Sequence, residues 1–133
     1  LGDVYKRQTQ RNLSKDGELQ ALKIGKFFKE NDIKLTKVLS SEWCRCKDTA
    51  KIAFGNYETK NFLNSFYDER FSENKDKQIL DFQKFIRNWN ETGNLVLVTH
   101  YVVISEILDL TTSSGEIVIT DTNLKFLSSL EIN

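Results

Sequence analysis

Proline is absent from the sequence, and so are internal repeats and low-complexity runs, so nothing punctuates the 133 residues into separate units. That length is one domain's worth, sufficient to bury a real core. Charge of one sign is also missing in excess: 19 basic residues balance 19 acidic ones. There is then no basic surplus to draw in nucleic acid or anionic lipid, and neither is expected as a partner. No apolar run approaches the roughly 20 residues of a membrane span. The only two cysteines, Cys44 and Cys46, are too close for a disulfide framework. No His/Cys cluster supports zinc, and both cysteines read most simply as packing residues on different sides of a helix. Histidine occurs once, as His100.

What is present alternates helical and strand-like segments. Ser14 is a plausible N-cap for a helix over 15–31. In it Ala21, Ile24, Gly25 and Phe28 recur at helical spacing, with Leu22 and Phe27 widening the face. Lys37 to Ser40 is a short strand. A second helix is expected from near Ser41 to just before Gly55, with Trp43, Ala50, Ala53 and Phe54 inward. Residues 56–75, polar with interspersed aromatics, read as an insertion or long loop, in which Phe62, Phe66, Tyr67 and Phe71 serve as anchors. Ile79, Phe82, Ile86 and Trp89 mark a third, amphipathic helix. Leu95 to Val98 is a continuous apolar strand of the kind buried on both faces of a sheet. A helix over 102–110 follows. Segments 116–120 and 124–130 then pair around Asp121-Thr122-Asn123. The pattern predicts a layered α/β domain.

In open α/β sheets, ligands bind beyond the carboxyl ends of the strands. Ser40-Ser41 and Thr99-His100 both fall at such ends, each before a predicted helix. A neutral imidazole at His100 could accept a proton, and a charged one could donate to phosphoryl oxygens. Arg45, in the first turns of the second helix, offers a planar fork that fits two phosphate oxygens, near unpaired amides that favour an anion. Arg11, just before the first helix, could reach the same edge; a solvated surface arginine is as good a reading.

Three ordered motifs resemble the histidine phosphatase, or phosphoglycerate mutase-like, superfamily, in the manner of its small bacterial members. They are Arg11-Asn12-Leu13-Ser14 with Gly17 and Gln20-Ala21, Val38-Leu39-Ser40-Ser41 with Arg45 and Thr49-Ala50, and Leu97-Val98-Thr99-His100. Gly115-Glu116-Ile117-Val118 resembles the closing strand of such members. The resemblance implies a three-layer α/β/α sandwich with a mostly parallel sheet. It also implies phosphomonoester hydrolysis through a phosphohistidine, without metal or other cofactor, on a phosphorylated small molecule or phosphoprotein. Arg45 would clamp the phosphoryl oxygens, His100 would stabilise their growing charge, and Arg11 would be a substrate-binding residue at the rim.

Two departures accompany the resemblance. The nucleophile's Arg-His-Gly or Arg-His-Ala motif, which ends the first, internal strand, has no counterpart. Asp3 to Gln8 can be back-translated to a string that resembles the inner end of a transposase adapter used in DNA sequencing, so residues 1–8 are expected to be an adapter-derived tail, with one incomplete domain over 9–133. The chain is then expected to be inactive, a fragment lacking the first strand and the nucleophilic histidine. Any signal peptide would have preceded it, which leaves periplasm and cytoplasm both open. Second, Tyr101 stands where one branch of the family has an acid after the histidine, leaving Asp68, Glu69 and Glu73 as candidate proton donors. The alternative is a non-catalytic phospholigand-binding module of the same fold; a third reading is an unrelated flavodoxin-like signalling or interaction domain.

Overall fold

In the computed structural model the described residues are 13–66 and 74–132. Arg11, Asp68, Glu69 and Glu73, the anchors Tyr67 and Phe71, and the tail over 1–8 lie outside them.

Helix α1 spans Lys15–Glu30. Its start is set by Ser14, whose Oγ accepts from the Gly17 N–H at 3.1 Å, with Asp16 and Glu18 placed against the positive end of the helix dipole. Ala21, Ile24 and Gly25 are buried as expected, but Leu22 is 55% exposed. The buried face is narrower than the sequence suggested because α1 meets its neighbour along small residues. That neighbour, α2, spans Cys44–Phe54 and buries Ala50 and Ala53. A Cβ added at Gly25 would run into the Ala53 carbonyl oxygen, so glycine is what allows this close approach. Phe28 closes the seam edge-on against Phe54, with ring centroids 5.1 Å apart.

Strand β1, Leu35–Ser40, is the centre of a parallel three-stranded sheet. On one side it pairs with β2, Glu58–Thr59, and on the other with β3, Asn94–Val98, in the register Ser40↔Val98. The segment 56–66 is therefore not a loop. It supplies β2 and a 3-10 turn, Asn61–Leu63, whose Phe62 and Leu63 are buried. Helix α3, Lys75–Arg87, buries Phe82 and Ile86, but its third buried residue is Gln78, and it ends before Trp89. Gln78 is polar yet paired: Nε2 donates to the Phe62 and Asn64 carbonyls, tying the turn to the helix. Helix α4, Tyr101–Leu108, ends two residues earlier than expected, at the left-handed Asp109.

Leu39 on β1 packs with Phe62, Leu63, Phe82, Ile86 and Val103 to form the main core, which Leu95 and Leu97 of β3 extend. Successive strand side chains face opposite ways, so this face is covered by α3 and α4, while α2 covers the other and carries α1 outside it. The result is a three-layer α/β/α arrangement. Its β3 differs from expectation: Leu95 to Val98 are half-buried, because among the described residues β3 is an edge strand. The final pair, β4 (Ile117–Thr120) and β5 (Phe126–Leu130), is antiparallel and forms a separate two-stranded sheet. Its turn is closed by Asp121, whose Oδ1 accepts from the Asn123 and Lys125 N–H groups, each at 2.9 Å.

Candidate phosphoryl site at the carboxyl ends of the central strands

The Ser41 N–H donates to the Val98 carbonyl at 2.9 Å, extending the pairing with β3 one residue past the end of β1. That step puts Ser41 beside His100. Both are buried, with Ser41 fully enclosed and His100 5% exposed. His100 caps α4 and Trp43 caps α2, so two helix N-termini open at the same edge. Helix α2 starts later than the sequence indicated because 41–43 bends before the helix, with Ser41 Oγ accepting from the Trp43 N–H at 3.1 Å.

Around the imidazole, Nε2 lies 2.9 Å from Ser41 Oγ and 3.5 Å from Cys46 Sγ. Trp43 stands edge-on to the ring at 5.0 Å, and the exposed Arg45 guanidinium lies 5.7 Å from the Trp43 centroid. Burial first, and the Arg45 cation second, push His100 down from 6.5 to about 4, so the ring is neutral at neutral pH. Burial pushes the Cys46 thiol up to about 11, against the opposing pull of Arg45 and of a hydrogen bond with Ser41. A neutral thiol is a poor nucleophile. Arg45 thus acts electrostatically on both groups, and the structure brings Arg45 and His100 to one strand edge. Thr49, whose Oγ1 donates to the Arg45 carbonyl at 2.8 Å, helps hold that turn.

A polar chain continues behind the ring. Ser41 Oγ lies 3.0 Å from Asn64 Oδ1, which accepts from the Glu42 N–H at 2.8 Å, and Asn64 Nδ2 donates to Glu42 Oε1 at 2.8 Å. Thr99 Oγ1 donates to the Leu63 carbonyl at 2.6 Å, fixing the same turn from the β3 side. Cys46 is thus more than packing, since its sulfur touches the site histidine. Sequence reasoning missed Ser41 and Asn64 as site residues. The serine doublet at a strand end was a usable signal for the first; nothing marked Asn64. Among the described residues no cluster of three or more His, Cys, Asp or Glu could hold a metal ion, and no helix is long and apolar enough to cross a membrane. A separate cleft lined by Lys37, Lys60, Lys84, Phe85 and Trp89 shares no residue with this site.

The architecture is thus a parallel α/β/α domain with an arginine and a histidine near adjoining strand ends. The family described as the histidine phosphatase superfamily (branch 1) matches residues 1–75, and the chain belongs to it. No curated protein matches. Among solved structures, TTHB049 of Thermus thermophilus superposes with a TM-score of 0.67 at 17% identity, covering 97% of this chain and 94% of that one. A phosphoglycerate mutase of the same organism gives 0.62 at 18%, covering 92% and 85%. The Rv3214 product of Mycobacterium tuberculosis gives 0.59 at 16%, covering 88% and 83%. These similarities concern the fold.

Proposed function

We propose that this domain binds the phosphoryl group of a phosphomonoester, on a small molecule or a protein side chain, and that a complete site transfers it through a phosphohistidine. The observation that supports the reading is that Arg45 and His100 flank the same Trp43 ring at the shared end of β1 and β3, 5.7 Å from its centroid and 5.0 Å between ring centroids respectively. Arg45 is the clamp for the phosphoryl oxygens. His100 is the group that answers their growing charge, because an anion beside the ring draws it back towards the protonated, donating form. Arg11 is assigned to the rim, and the proton donor to Asp68, Glu69 or Glu73. Family membership supports phosphatase or mutase activity as a class and does not choose between them.

In-line attack by a histidine, followed by release to water, splits one displacement into two. With His100 stabilising charge, the attacking imidazole must come from a second histidine, and the sequence has one. The chain is therefore expected to bind without turning over. That single histidine also favours the second reading, a phospholigand-binding module that never cleaves. An Arg-His pair at a strand end elsewhere in the parent protein would support the enzyme, and its absence would support the binder.

Calorimetric titration with inorganic phosphate in the presence of a chelator tests the shared premise. A charge-assisted hydrogen bond contributes about 1.5–3 kcal/mol, so Arg45→Ala and His100→Ala should each weaken binding roughly 10- to 100-fold. Unchanged affinity in both variants contradicts the assignment.

A further inference from the structure

We infer that Asn64, acting through Ser41, is a positioning residue that holds His100 with its proton on Nε2 and presents the bare Nδ1 lone pair to the site. This deepens the phosphoryl-site reading, but the hydrogen-bond argument stands without it. The orientation of Asn64 is fixed first. Its Nδ2 donates to Glu42 Oε1 at 2.8 Å and its Oδ1 accepts from the Glu42 N–H at 2.8 Å; a flipped amide would set like against like at both contacts. Its oxygen therefore faces Ser41 Oγ at 3.0 Å and has no proton to offer, so the Ser41 hydroxyl donates to it.

That donation commits the one Ser41 proton to Asn64, so the Ser41–Cys46 contact is left to a thiol whose own proton goes to the Thr99 carbonyl. The Ser41 oxygen already accepts from the Trp43 N–H at 3.1 Å, leaving one lone pair, 2.9 Å from His100 Nε2. Nε2 must then carry the proton and donate. Cys46 Sγ, 3.5 Å from Nε2 and 3.8 Å from the Thr99 carbonyl, turns its thiol proton to that carbonyl. Nδ1 has no partner among the described residues. No buried side-chain nitrogen or oxygen among them lacks one, so Nδ1 is the ring nitrogen that meets solvent. Among the described residues, the charged and titratable groups set around the ring are Arg45 and Cys46 on α2 and Glu42 on the preceding loop.

The consequence bears on ligand choice. An anion docking at Nδ1 must bring a proton, as a phosphate monoanion does, or draw one from solvent onto the ring. The second tautomer, with Nδ1–H, would donate to a phosphate dianion with no proton uptake.

The sequence has one histidine, so the imidazole ¹⁵N spectrum of the tag-free chain contains a single pair of ring signals. The expected spectrum at neutral pH has a protonated-type Nε2 and a pyridine-type Nδ1. Asn64→Leu frees the Ser41 hydroxyl to donate to Nε2 and should move the two signals towards exchange of type. Ser41→Ala, which removes the acceptor of the Nε2 proton, should bring them towards the averaged values of a ring in fast tautomer exchange. Wild-type protein with a pyridine-type Nε2, or either variant indistinguishable from wild type, overturns the inference. Addition of inorganic phosphate should then convert Nδ1 to the protonated type. No response to phosphate alongside the expected tautomer would reject the anion site and leave the role of Asn64 standing.

Discussion

His100 couples the site to stability. Its value near 4 in the folded chain, against 6.5 when free, means that between those limits the unfolded state binds the proton and the folded state does not. Stability therefore rises with pH across that window and falls as pH drops through it, by a total on the order of 3 kcal/mol. Urea unfolding at pH 4.5 and 7 should show this dependence, with a smaller difference for His100→Asn. An unaltered pH dependence in the variant would assign the effect to other groups. Residue-level legibility was uneven. The strand-end position of His100 and the helical position of Arg45 could be read from pattern alone. The sulfur of Cys46 against the ring could not, since which face of α2 meets β3 is decided by tertiary packing.

Among the elements, α1 and α3 announced themselves through helical spacing, α1 also through its cap Ser14, and the ends of the helices moved by only a few residues. Segment 56–66 did not, because its two-residue strand and 3-10 turn are too short to carry a period. It is held instead by side chains from distant elements, Gln78 of α3 and Thr99 after β3. Gln78→Leu leaves two carbonyls without their donor and should destabilise the fold by about 1–3 kcal/mol. Because the same turn carries Asn64, it should also weaken phosphate binding more than an exposed α3 substitution such as Lys84→Ala. Equal binding by both would detach the turn from the site. Gly25→Ala, which drives a methyl into the Ala53 carbonyl, should part α1 from α2 at about 1–3 kcal/mol in thermal or denaturant unfolding. An unchanged midpoint would mean that the two helices slide apart freely.

For the whole molecule, the layered α/β class followed from alternation of helices and strands. The sheet did not. Leu95 to Val98 have the composition of an interior strand, yet β3 borders no further strand among the described residues, and β4–β5 stands apart as its own sheet. Composition records how apolar a strand is, not which neighbours it finds. The described strands β2-β1-β3 are nonetheless enough to place Ser41, Arg45 and His100 together. The central claim is that Arg45 and His100 serve one anion. Titration of ¹⁵N-labelled chain with inorganic phosphate tests it most directly, by following the Arg45 guanidinium Nε–H and the His100 ring in the same samples. Shared occupancy predicts that both signals move along one saturation curve with a single dissociation constant. Two curves with different midpoints, or movement of one group while the other stays fixed, would contradict it.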